Sequence, residues 1–265
     1  MFRLSGVTRM STARSFTSPA AFALAAAAFL AVAFPSLDDA EAKGKGCPEG
    51  MASIKGKYCI DKFEASTVEI LPGGKTRPHS PFEAVEGLKV KAVSRRGVKP
   101  QAHISRNEAE AACKNAGKRL CTLDEWRTAC RGEKDLPFPY GDKYEQGKCN
   151  IFREGHPAME LHNNASIGHS DPRLNQVKKN GKPLLRRTGE TASCASVWED
   201  DAIYDMVGNL DEWIDDPEGT FVGGFFSRSK KDGCASTITA HPYEYFDYST
   251  GTRCCKELGE DDGER

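Results

Sequence analysis

Ten cysteines, at positions 47, 59, 113, 121, 130, 149, 194, 234, 254 and 255, constrain this 265-residue chain more than any other feature. An even set of this size reads as a disulfide framework in a chain that folds in an oxidising compartment. Structural zinc would need closely spaced Cys-x-x-Cys or Cys/His pairs, and none is present. Five bridges are therefore expected, and the sequence alone leaves their connectivity open. Such staples tolerate a loop-rich domain, since each contributes on the order of 2–4 kcal/mol.

Every cysteine lies beyond an N-terminal stretch with the marks of a signal peptide. Arg3, Arg9 and Arg14 precede an apolar run from Ala20 to Phe34, and Ala40-Glu41-Ala42 offers small residues at the cleavage positions. The run is shorter than the ~20 residues a membrane-spanning helix requires. No retained span is expected, and the mature chain is placed in the secreted or periplasmic space. Thirty-seven basic against 38 acidic residues give a net charge of −1, which argues against nucleic acid and against an anionic membrane surface as partners.

Two helices are written locally. Ser105 with Glu108 and Thr122 with Glu125 form capping boxes. Ala109, Ala112, Cys113 and Ala116 make one apolar face; Leu123, Trp126, Ala129 and Cys130 make the other. Gly117 and Gly132 stop them. Cys47 and Cys59 bracket a small hairpin loop. Alternation over Ile60–Ala65 predicts a strand, as do the stretches around Leu88–Val93, Ile203–Val207 and Phe221–Phe226. Residues 72–100 and 137–182 read as loop. His156, His162 and His169 fit no single helical face and are expected on a solvated surface. Trp126 is expected in the core, and Asn164-Ala165-Ser166 matches the glycosylation pattern.

Several segments together resemble the formylglycine-generating enzyme, or sulfatase-modifying factor, family. They are Ala116–Trp126 (AGKRLCTLDEW), Ala129-Cys130-Arg131-Gly132, Pro139-Tyr140-Gly141-Asp142 followed by Cys149-Asn150, Tyr204–Trp213 (YDMVGNLDEW), Gly223-Gly224, and Thr250–Cys254 (TGTRC). The resemblance spans roughly Cys59 to Lys256. It implies an α+β, C-type-lectin-like fold with little regular secondary structure. It divides the chain into a signal peptide (1–42), an N-terminal cysteine loop (43–58), the family domain (59–256) and an acidic, frayed tail (257–265).

The resemblance also implies the bridges Cys113–Cys254 and Cys130–Cys234. The remaining cysteines are assigned by elimination and proximity as Cys121–Cys255, Cys149–Cys194 and Cys47–Cys59. Structural calcium is implied at the Asp205 and Glu212 carboxylates with the Gly208 and Leu210 carbonyls, a set of hard oxygens suited to that ion. A second calcium site would begin at Asn150 and Ile151, although the loop that completes it diverges here. The family's enzymes bind copper(I) through two cysteines, five residues apart, just after Gly-Gly-Ser. Here Phe225–Gly233 follows Gly223-Gly224 without any cysteine, so copper is not expected. Ser227, Arg228, His241, Tyr243 and Tyr245 are candidates to line a groove. The expected function is a recognition or accessory domain for a protein, peptide or glycan. The alternative is a formylglycine-generating oxidoreductase acting on protein cysteine.

Overall fold

Both capping boxes close. Helix α1 (Arg106–Asn115) starts where the Ser105 hydroxyl accepts the Glu108 amide and the Glu108 carboxylate accepts the Ser105 amide. Helix α2 (Leu123–Arg131) repeats this with Thr122 and Glu125, and stops at Gly132 (φ 66°). Each cap contributes about 1 kcal/mol. Ala109, Ala112 and Cys113 of α1, and Trp126, Ala129 and Cys130 of α2, are buried as the spacing predicts.

These helices belong to a computed structural model that describes residues 46–152, 155–228 and 231–259. The signal-peptide expectation and the last residues of the acidic tail lie outside the described residues. Among the described residues, no helix is long and apolar enough to cross a membrane.

The strands are short. A four-stranded antiparallel sheet orders Met51–Ile54, Tyr58–Asp61, Cys254–Glu257 and Arg119–Leu120, so the C-terminal strand is interior. A second sheet orders Thr237–Ile238, Phe221–Val222, Asp211–Trp213 and Thr250–Thr252, the last two parallel. A third sets Ala65–Ile70 between Thr76–Pro78 and Val90–Ser94. Ala195–Trp198 pairs with Asp201–Tyr204, and Lys178–Lys179 with Lys182–Pro183.

Five disulfides join these pieces: Cys47–Cys59, Cys113–Cys254, Cys121–Cys255, Cys130–Cys234 and Cys149–Cys194. The adjacent Cys254 and Cys255 point to opposite faces of one strand. One holds α1 and the other the residue just before the cap of α2.

Several local expectations are corrected. The strand predicted over Ile60–Ala65 breaks in two, because Glu64 turns inward and is wholly buried. Residues 137–182 are not all loop: Pro157 opens a short helix α3 (Pro157–His162), closed by Asn163 in the left-handed region. The strand expected over Ile203–Val207 stops at Tyr204, since Asp205 takes φ 59°. Only Phe221–Val222 of the next is extended in a sheet, because Gly223 and Gly224 both turn at positive φ. Glu257 is not frayed, for it ends the interior strand and pairs with Arg119.

Candidate functional site

Between Tyr204 and Asp211 the chain makes a tight turn that packs onto Asn150. Gly208 has φ 85°, and a Cβ there would collide with the Asn150 carbonyl oxygen. Asn209 follows at φ 65° and is fully buried. Its side chain donates to Glu64 Oε2 (2.5 Å) and accepts from the Arg186 amide and from Asn150 Nδ2, both at 2.9 Å. Three stretches of chain distant in sequence are thereby tied to one amide.

Beneath the turn lies an ionic knot. Arg253, 1% exposed, reaches Glu212 through Nε (2.7 Å) and Nη2 (2.7 Å), and also donates to the carbonyls of Asp61 and Tyr204 at 2.9 Å. Glu212 also accepts Trp126 Nε1 at 2.6 Å. Two more buried carboxylates, Glu64 and Asp205, share this guanidinium's field. One cation thus serves three acids. Burial raises Glu64 well above the usual carboxylate range, and the charges of Asp205 and Glu212 push it further. Burial also lifts Asp205 to about 7, against the pull of the Gly189 amide. Asp205 Oδ2 accepts that amide at 2.6 Å, while Oδ1 is buried without a hydrogen-bond partner.

A second charged cluster begins on the other side of the same strand, where Arg228 forms an ion pair with buried Asp211. Its guanidinium lies 4.8 Å from the Phe225 ring centroid. Burial raises Asp211 to about 7, and Arg228 opposes the rise. Nearby, Asp247 accepts the Tyr245 hydroxyl at 2.7 Å and both the amide and hydroxyl of Ser249 at 2.7 Å. Tyr248 Oη lies 2.9 Å from His156 Nε2. His156 Nδ1 accepts the Ala158 amide, so the network assigns the ring proton to Nε2, which donates to Tyr248.

The three histidines are therefore not a solvated surface. His156 caps α3, with its affinity for a proton lowered by burial and then by the neighbouring His169. His169 Nε2 donates to the Ala165 carbonyl at 2.8 Å, and His162 pairs with Asp171 at 3.2 Å. The groove candidates divide. Arg228 and Tyr245 meet the buried acids, and Ser227 donates to the Gly155 carbonyl (3.0 Å). Tyr243 instead stacks under Arg106 (4.4 Å) and bonds the Asp216 carbonyl. His241 packs between Phe221 and Tyr245, at centroid distances of 4.8 and 4.6 Å. These last two are packed apart from the buried acids and remain partly exposed.

The model of the sulfatase-modifying factor enzyme 1-like domain (FGE-sulfatase) matches residues 75–236, more than half of the chain. The chain belongs to this family. It is 29% identical over 204 residues to the formylglycine-generating enzyme of Mus musculus, covering 74% of this chain and 50% of that one. It is 30% identical over 119 residues to the "inactive C-alpha-formylglycine-generating enzyme 2" of Bos taurus, covering 43% and 32%. The chain thus spans a third to a half of the lengths of these relatives. Among solved structures it resembles PvdO from Pseudomonas aeruginosa, with TM-score 0.41 and 15% identity over 76% of this chain and 80% of that one. The α+β, disulfide-rich architecture with little regular structure is that of the family.

Against the family's metals, the residues fit unequally. Copper(I) needs reduced thiolates, and all ten cysteines here are consumed in disulfides. In the segment after Gly223-Gly224 a cation, Arg228, holds a buried carboxylate instead. The residues do not fit copper. For calcium, Asp205 presents a buried oxygen with no donor, and the acids around it outnumber the cation. Glu212, however, spends both oxygens on Arg253, and among the described residues no group of three or more Asp, Glu, His or Cys side chains is gathered to hold a metal ion. At Asn150, both the amide nitrogen and the backbone carbonyl serve the Asn209 turn, and Ile151 is buried. Glu64, Asp211 and Asp247 were missed by sequence reasoning. An acid alternating with apolar residues looks like an exposed strand position, and only Asp211, set between Leu210 and Glu212 in the family segment, carried a signal.

Proposed function

We propose that this chain is a recognition or accessory member of its family, working outside the cytoplasm, with no copper-dependent oxidation of cysteine. The observation that carries this is the complete oxidation of its cysteines. Five disulfides are consistent with an extracytoplasmic location. The similarity to a relative described as inactive supports the same view. The Arg228–Asp211 ion pair adds to it, since a buried pair of opposite charges is a structural filling rather than a nucleophile awaiting activation. The partner is a protein, peptide or glycan.

The test is a thiol count combined with an activity assay. Alkylation in denaturant without reductant is expected to leave the intact mass unchanged. Reduction first should add ten alkyl groups. The protein loaded with copper(I) should consume no oxygen above buffer when offered a cysteine-containing peptide. Two cysteines labelling before reduction, together with substrate-dependent oxygen consumption, would refute the proposal and restore the oxidoreductase alternative.

In the same proposal, Asp205 and Glu212, with the carbonyls of Gly208 and Leu210, hold a structural calcium ion. The ion would balance the surplus buried negative charge. Protein stripped with EDTA should gain about 2.7 kcal/mol of stability when calcium is restored to a hundredfold above its Kd. Asp205→Ala should abolish that gain. Equal melting temperatures in EDTA and calcium would rule the site out.

A further inference from the structure

We infer that the cleft between the Lys178–Pro183 hairpin and the Cys149–Cys194 disulfide is a binding site for an acidic saccharide. This rests on the recognition role proposed above and names the ligand class. The cleft has a volume of about 660 Å³, and its floor is Cys149, Ile151 and Leu184. That size is within the range of small-ligand sites.

Its charge is the first reason. Residues 178–187 carry Lys178, Lys179, Lys182, Arg186 and Arg187 and not one acid, in a chain whose net charge is −1. Lys179, Lys182 and Arg186 line the cleft against a single acid, Glu190. Arg186 pairs with Glu190 through Nη1 at 2.5 Å, yet its Nε is buried without a partner. Lys179 pairs with Glu160 at the rim (2.7 Å). Lys182 is exposed. A surface that only needed solubility would not hold its cations around a concavity.

The second reason is the rest of the lining. Gln146, Asn180, Thr191 and Ser193 place amides and hydroxyls around the cations. Such groups donate to and accept from sugar hydroxyls, while Lys182 and Arg186 answer a carboxylate or sulfate. The walls are held in place before any ligand arrives. The Cys149–Cys194 bridge fixes one side, and the Arg186 amide is bonded to Asn209. A preorganised wall reduces the ordering cost of binding.

Titration calorimetry of the full mature protein with tetragalacturonate tests this, using maltotetraose as the neutral counterpart and pentaglutamate as the acidic peptide. Tetragalacturonate is expected to bind at least about tenfold more tightly than maltotetraose, and to weaken as salt is raised. Lys182→Glu should lower its affinity by about tenfold or more with an unchanged melting temperature, since the residue is exposed. Lys57→Glu, on the exposed turn of the first hairpin, should leave binding as it was. Equal binding of the charged and neutral sugars, or an unaffected Lys182→Glu, would overturn the proposal. Tighter binding of pentaglutamate than of tetragalacturonate would overturn the saccharide class. None of these outcomes depends on the thiol count or oxygen assay, so the two proposals fail separately.

Discussion

Replacing Arg253 with methionine is expected to destabilise the protein by about 3–5 kcal/mol, the range seen when one partner of a buried ion pair is removed. Arg253 makes four hydrogen bonds: none reaches solvent, and two end on Glu212. Its loss strands Glu212 beside Glu64 and Asp205, both of which burial and mutual repulsion already push toward the protonated form. Urea unfolding followed by tryptophan fluorescence measures the effect, because Trp126 reports directly on Glu212. A second variant separates lost charge balance from lost packing. Adding Glu212→Leu to Arg253→Met removes the orphaned charge, and part of the stability should return. A single variant within about 1 kcal/mol of the parent would show that the knot is not an energetic keystone.

The second large effect concerns the paired bridges of Cys254 and Cys255, whose costs of removal are not additive. They close nearly the same loop, with sequence separations of 141 and 134. While either bridge remains, the other closes only the short circuit between residues 113 and 121. By chain entropy, removing the first costs about 3 kcal/mol; removing the second, whose loop the Cys130–Cys234 bridge shortens, costs a further ~4 kcal/mol. Cys113→Ser/Cys254→Ser should therefore fold with a lowered denaturation midpoint. The quadruple variant that also removes Cys121–Cys255 should not accumulate as folded protein. Midpoints in guanidinium chloride, read at equal slopes, make the comparison. Equal costs for the first and second removals would show that each bridge acts through local packing rather than through the loop it closes.

What was legible in the chain was local or shared with relatives. The two helices announce themselves within four residues, through Ser105–Glu108 and Thr122–Glu125, because a capping box is satisfied by near neighbours. Two of the disulfide pairs, Cys113–Cys254 and Cys130–Cys234, came from the family resemblance, and the other three followed by elimination and proximity. The site acids were harder to see. Glu64 meets Leu210 and Asn209 from some 145 residues away, and nothing next to it in sequence marks it as buried. His156 looked like a loop histidine because its partner, Tyr248, lies 92 residues downstream. The short strands of residues 195–252 alternate weakly, since several extend for only two or three residues before a positive-φ turn interrupts them. Period alone cannot register elements of that length.

The interior position of Cys254–Glu257 has a consequence for how the molecule is made. A ribosome delivers this strand after the other three of its sheet, which has a gap between Tyr58–Asp61 and Arg119–Leu120 until it arrives. The same few residues bring the buried cation and the partners of two disulfides. A nascent chain stopped before Arg253 would hold the two helices, the acids and half-finished thiols with nothing to close them. A chain terminated before Arg253 is therefore expected to lack a stable native-like form, and limited proteolysis of that truncation against the full chain checks it.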